Sequence, residues 1–221
     1  SLVCRQNCRV NVNCSHNVYL AIYLSPISAA ISLDLFQWDN GMIASWNDFK
    51  AYVRADASSR GAPITLRNWL FDPVLRFQIL MRLDEWLLNT RKPRLLRFAF
   101  LLWFRRLSVR LGFSMGPNIF GPGLAIVHYG TIVIDPTARI GKNCRIHVGS
   151  HIGGAAQFVD PAEAYKFSPR IGDNVYIGPG AKLYGPIQIG NNCVIGANAV
   201  VTRSFPENGL TLAGVPAKVI A

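Results

Sequence analysis

Three of the four histidines in this 221-residue chain, His128, His147 and His151, fall close together and are the side chains best suited to proton chemistry. An imidazole titrates near neutrality, so it can take a proton from a hydroxyl and return it within one turnover. His128 stands in the segment Gly121-Pro-Gly-Leu-Ala-Ile-Val-His128-Tyr-Gly-Thr-Ile-Val-Ile134, two residues past Ile126 and beside Tyr129 and Gly130. That makes it a candidate general base. His151 precedes an aliphatic residue, so it should point outward, where it can meet a substrate. Cys4, Cys8, Cys14 and His16 suggest a metal cluster at first sight, but their spacing fits no zinc pattern well. Cys144 and Cys193 read as small buried apolar residues, and an odd total of five cysteines implies no disulfide framework.

The element that must hold these side chains is a repeat. Counting in sixes gives Ile134, Ile140, Ile146 and Ile152, then Ile171, Ile177, Leu183, Ile189, Ile195 and Val201. Glycine follows many of them, at Gly141, Gly153, Gly172, Gly178, Gly190 and Gly196. A strict period of six is the mark of a parallel β-helix, in which three rungs make one triangular coil and each rung sends one aliphatic side chain inward. The glycines belong where corners need backbone freedom or close approach. Phe120, Ile126 and Ile132 also keep sixes, but out of phase with Ile134 by two residues, so the first coil should be irregular. The stretch 153–170 interrupts the count and reads as a loop.

Composition bounds the rest. A net charge of +11 with half the residues apolar describes neither a disordered chain nor an ordinary acidic enzyme. A basic balance suits nucleic acid, membrane phosphates or a phosphate-bearing cofactor. Residues 1–41 read as an atypical extension, non-native or anchor-like. Arg5 and Arg9 precede an apolar run, Val18–Leu33, that is too short to span a membrane and is broken by Pro26, whereas Met42 resembles a natural start. Residues 42–112 read as helical: Ser45 with Asp48 as an N-cap, Asp72-Pro73 opening a second helix, and Lys92-Pro93 ending or kinking it. Its apolar stripe is Leu75, Ile79, Leu83 and Trp86/Leu87, with Arg76 and Arg82 alongside. Between Met42 and Gly116 thirteen Lys/Arg face five Asp/Glu, so a helix here is expected either on an anionic membrane surface or packed on the coil or a neighbouring subunit.

The repeat, the His-Tyr-Gly-Thr-Ile-Val-Ile segment, the 153–170 loop and the ending Ala213-Gly-Val-Pro-Ala-Lys218 together resemble the hexapeptide-repeat acyltransferases. The closest likeness is the serine acetyltransferase-like branch, including relatives in polysaccharide gene clusters. The resemblance implies a mainly β fold, a left-handed β-helix over 113–221 preceded by helices. It also implies acetyl-CoA as co-substrate, no metal, and a homotrimer or dimer of trimers with sites between subunits. By position His128 matches the family's base, which frees an acceptor hydroxyl to attack the thioester directly. Tyr129, His151, Asp160 and Glu163 become acceptor contacts, and Gly178, Ala197, Thr202, Arg203 and Lys218 match positions that hold CoA. The chain departs from the branch twice: Val127 stands where an Asp precedes the His, and Ser168 where a second active-site His precedes a proline. Because of these departures, the expected acceptor is a sugar, a polysaccharide precursor or another small hydroxyl compound, with L-serine as the alternative. A trimeric zinc β-helix of carbonic anhydrase type and a non-catalytic scaffold are the competing classes; the zinc type uses a five-residue histidine spacing, against four here. The expected setting is cytoplasmic, at the inner face of the membrane through the basic helices, without nucleic acid.

Overall fold

The computed structural model describes residues 42–90, 93–155 and 161–221. The Cys4, Cys8, Cys14 and His16 group, Arg5, Arg9 and the apolar run from Val18, Lys92 and Asp160 lie outside the described residues. Four helices come first: α1 (Trp46–Arg60), α2 (Leu66–Phe71), α3 (Pro73–Asn89) and α4 (Arg94–Leu111). Ser45 caps α1 in a full capping box, its hydroxyl accepting from the Asp48 N–H while the Asp48 carboxylate accepts from the Ser45 N–H. Asp here does what Glu more often does, because the two extra bonds satisfy the same orphan donors. Asp72 caps α3 by accepting from the Val74 and Leu75 N–H groups, and Pro73 occupies the first helical position. α3 ends at Asn89, and α4 begins directly after Pro93.

From Phe113 onward the chain winds into a triangular parallel coil with three faces. Face A stacks Phe113–Ser114, Ile132–Ile134, His151–Gly153, Lys182–Tyr184 and Val200–Val201. Face B stacks Arg139–Ile140, Arg170–Ile171 and Gln188–Ile189, extended by parallel bridges to Phe120 and Phe205. Face C stacks Ala125–Ile126, Arg145–Ile146, Tyr176–Ile177, Val194–Ile195 and Thr211–Ala213, with Lys218–Val219 closing its end antiparallel. Register aligns the inward residues into columns, such as Ile126, Ile146, Ile177, Ile195 and Leu212 on face C. All ten aliphatics of the six-residue count are buried, as are Cys144 and Cys193, and burial pushes the Cys144 thiol up to about 12.

The glycines after the inward aliphatics serve close approach, not backbone freedom. A Cβ on Gly141 would lie 2.7 Å from the Gly172 backbone, and one on Gly172 would lie 2.9 Å from that of Gly190. Neither adopts a positive φ. At the B–C corner the left-handed conformation falls to asparagine: Asn143, Asn174 and Asn192 have φ near 55–57°. Their amides form a ladder, Asn143 donating to Asn174 and Asn174 to Asn192, both at 2.9 Å. Asparagine tolerates this region because its short side chain can bond locally.

The helices close the open end of the coil. Val74, Phe77, Leu80 and Met81 of α3 and Phe104 and Leu111 of α4 share one core with Phe113, Phe120 and Ile126. The apolar stripe read from the sequence is only one side of α3, which meets α1 through Ile79, Leu83 and Trp86 packed on Ile43, Phe49 and Val53. Arg82, expected alongside that stripe, lies next to it but inside the protein, at 0% exposure and with its guanidinium 4.9 Å from the Tyr52 ring centroid of α1. Its guanidinium pairs with Asp56 at 2.8 Å and Glu85 at 3.0 Å and donates to the carbonyls of Phe120 and Gly121. Asp56 in turn accepts from the Gly123 and Leu124 N–H groups, and Glu85 from that of Asn118. Burial alone would lower the Arg82 pKa, but Asp56 and Glu85 overcome it and hold the group firmly charged. This cluster fixes the strand entry that leads to His128.

Candidate active site

The phase shift at the first coil creates the site's corner. On face C, Ile126 stacks on Ile146; on face A, Ile134 stacks on Ile152. Between those stacked rows the upper coil therefore carries two residues more than the lower one. The surplus lies at the C–A corner and projects His128 and Tyr129, both exposed, with Tyr129 at 67%. Ile132 and Ile134 are both buried, so the coil absorbs the insertion without losing its core. Gly130, at φ 136°, folds the insertion back so closely that a Cβ would sit 2.4 Å from a Val148 methyl.

Below this corner runs a single row. The backbone ladder passes from the Val127 N–H to Ile146 O (3.2 Å) and from His147 to Ile177 O (3.1 Å). It continues from Gly178 to Ile195 O and from Gly196 to Leu212 O, both at 2.8 Å, and ends where Ala213 pairs with Lys218. Val127, His147, Gly178, Gly196, Ala213 and Lys218 thus lie one above another across five strand spacings, about 24 Å at ~4.8 Å each. Gly178 is required there by the next coil, since its Cβ would meet the Ala197 N–H nitrogen at 2.8 Å. The consequence is a smooth track of small residues between the histidines at one end and an exposed lysine at the other, with Ala197 exposed beside it.

His147 joins the site because of this register. Its ring lies against Tyr176, centroids 5.0 Å apart, and its Nε2 is buried without a hydrogen bond. Burial first, then the charges of Arg145 and His128, hold its pKa below the usual imidazole range. The sequence singles out His147 only as one of three histidines. The two-residue shift, carried through to a row assignment, is the signal that places it beside the His128 corner. His151 stands past the corner on face A, exposed, in register with Val133 and Lys182. Burial and Lys182 lower its pKa as well.

The remaining candidates sit elsewhere. The 153–170 loop leaves face A after Gly153 and returns on face B at Arg170, so it occupies the A–B corner, across face A from His128. Its described part is a 3-10 helix, Pro161–Phe167, in which exposed Glu163 pairs with Lys166 at 2.6 Å. Ser168 is buried, and its hydroxyl lies against Thr137 and donates to Asp135 (3.2 Å) and Ala164 O, so it clasps the base of the loop. Thr202 and Arg203 also lie at the A–B corner, exposed, with the Arg203 guanidinium 5.0 Å from the Phe205 ring centroid. Within one chain, then, His128, Tyr129, His147, His151, Gly178, Ala197 and Lys218 share one region, and Glu163, Thr202 and Arg203 another. Among the described residues no three His, Cys, Asp or Glu converge as a metal site requires.

Comparison with known proteins gives this geometry its setting. Residues 168–203 match the family model for the bacterial transferase hexapeptide (six repeats). The chain is similar to the serine acetyltransferase of Synechococcus elongatus, 33% identical over 173 residues, covering 78% of this chain and 66% of the relative. A crystal structure of the Neisseria gonorrhoeae serine acetyltransferase in complex with serine is 30% identical, with a TM-score of 0.57 over 78% of this chain and 69% of that one. The Brucella abortus serine acetyltransferase in complex with coenzyme A is 28% identical, with a TM-score of 0.60 over 79% and 67%. The chain spans half to two thirds of the length of the curated relatives it matches. The coil has the left hand that the resemblance implied, an exception to the right-handed rule for parallel crossovers.

Proposed function

The chain belongs to the hexapeptide-repeat acyltransferases, in their serine acetyltransferase-like branch, and from that premise we propose that it transfers an acetyl group from acetyl-CoA to the hydroxyl of L-serine. The observation that carries this reading is the row from the His128 corner to Lys218. An extended thioester-bearing arm laid along Gly178, Gly196 and Ala213 would bring its reacting carbonyl to the histidines while Lys218 meets a phosphate. Ala197 flanks that track. Arg203 and Thr202 lie across face A and would reach the cofactor from a second copy of the chain, together with the loop that holds Asp160 and Glu163. That is our reason to propose a trimer with sites shared between subunits.

The chemistry needs one base. The His128 imidazole takes the hydroxyl proton as the acceptor oxygen adds to the thioester carbonyl; the carbon–sulfur bond then breaks, and the departing thiolate takes the proton back. Tyr129 and His151 border the acceptor side.

The comparisons favour serine over the sugar acceptor expected from the departures at Val127 and Ser168. Those departures still support a sugar hydroxyl as second reading, because Val127 brings no acid to His128 and Ser168 is committed to its clasp. Thiol release from acetyl-CoA, followed with purified protein against L-serine and a panel of free sugars, separates the two. Release that depends on L-serine is the expected result. Release with a sugar and none with serine would replace the first reading by the second.

A further inference from the structure

The outward face of α4 combines exposed apolar side chains with arginines. Helix α4 contains five arginines and no acid. Its inner side carries Phe104, Ser108 and Leu111 into the core, and Arg97 is turned to Asp84 at 3.2 Å. On the outer side Phe98, Leu102 and Val109 are 47%, 58% and 68% exposed, and their spacing of four and seven residues sets them in one strip along the helix. Arg105 and Arg106, both exposed, fall on either side of that strip, and Arg110 and Trp103, also exposed, lie farther round the helix beyond Arg106. Among the described residues no ion pair involves Arg105, Arg106 or Arg110.

We propose that α4 seats the protein on the surface of an anionic lipid bilayer, with Phe98, Leu102 and Val109 at the acyl boundary and Arg105 and Arg106 on the headgroup phosphates. An apolar ridge flanked by cations is the arrangement that gains from both layers of the interface: burial of the ridge below the headgroups, attraction to the phosphates beside it. Arginine stems are long enough to follow the ridge while their guanidinium groups stay at the phosphate level. Helix α4 lies on the surface and does not cross it, since no described helix is long and apolar enough to span. A second copy is the poorer occupant, because a self-complementary contact on this face would set arginines against arginines with no acid to answer them. The proposal stands apart from the acyl-transfer reading, since the corner row and α4 share no residue.

The test is flotation of the full chain with vesicles of phosphatidylcholine alone, or of phosphatidylcholine mixed with phosphatidylglycerol, at low and high salt. The protein should float with the anionic vesicles only, and salt should weaken it. Replacing Arg105 and Arg106 by Gln should lower the partition coefficient roughly 25-fold, about fivefold per arginine, with the circular dichroism spectrum unchanged. Brominated lipid should quench wild-type fluorescence more than that of Trp103→Phe, which places α4 itself at the bilayer. Equal flotation with neutral vesicles, or unchanged binding by the arginine double variant, would overturn the proposal. Sedimentation velocity supplies the other decisive outcome: a double variant that loses oligomer mass but still floats assigns the face to a second copy.

Discussion

His147 shows how little a histidine's chemistry owes to its neighbours in sequence. Its ring is held by Tyr176 from the coil below, and its Nε2 is sealed from water without a partner. The depressed pKa has a thermodynamic consequence. As pH falls below about 6.5, the unfolded chain takes a proton at this position before the folded protein does, so acid favours unfolding in that window. Stability from this source is fully present above the unfolded value and is lost as pH falls through the folded one. His147→Phe keeps a ring against Tyr176 and removes the titration. Melting temperatures of wild type and variant at pH 7.5 and 5.0 should therefore show a smaller acid loss in the variant, with His151 accounting for what remains. Equal losses would mean that the ring is as free to charge in the folded protein as in the unfolded chain. Ser168 carries a different lesson. The family resemblance sets it where a second active-site histidine is expected, but only the packed loop shows its hydroxyl spent on Asp135 and Ala164.

At the scale of elements, the coil is readable from sequence because each rung contributes one inward residue and the period therefore survives in a linear string. The Ile132 to Ile134 shift is readable too, though its outcome, a corner insertion that projects His128, needs the stacking register. What a linear pattern cannot show is the interior of α3. Arg82 looks like a surface cation beside an apolar stripe, because its partners come from Asp56 and from carbonyls at Phe120 and Gly121, far along the chain. The corner glycines are similar. Their spacing is plain, while the reason, the backbone of the next coil 2.7–2.9 Å from an added Cβ, belongs to the stack. Buried ion clusters break asymmetrically. Arg82→Met would strand Asp56 and Glu85 inside the protein and should cost about 3–5 kcal/mol in urea unfolding. A loss under about 1 kcal/mol would show that the helices and the coil entry hold together without this cluster.

On the scale of the whole molecule, the helices set the entry of the first coil, the coil sets the corner row, and the row places His128 and Lys218 at opposite ends of one track. The two groups of candidate residues sit at different corners, and in the trimer we propose a neighbouring copy would present its A–B corner to this chain's C–A corner. Everything in that scheme converges on one proton transfer. An unassisted hydroxyl is a poor nucleophile at neutral pH, and a positioned base contributes typically about 10²–10⁴-fold. The decisive measurement is transfer of labelled acetyl from acetyl-CoA to L-serine by wild type and by His128→Ala, with donor affinity taken from calorimetry on the same preparations. Wild type should form acetylated serine, turnover should be lower by about 10²–10⁴-fold in the variant, and donor affinity should be nearly equal in both. Undiminished turnover in His128→Ala, or no transfer by wild type despite tight donor binding, would contradict this scheme.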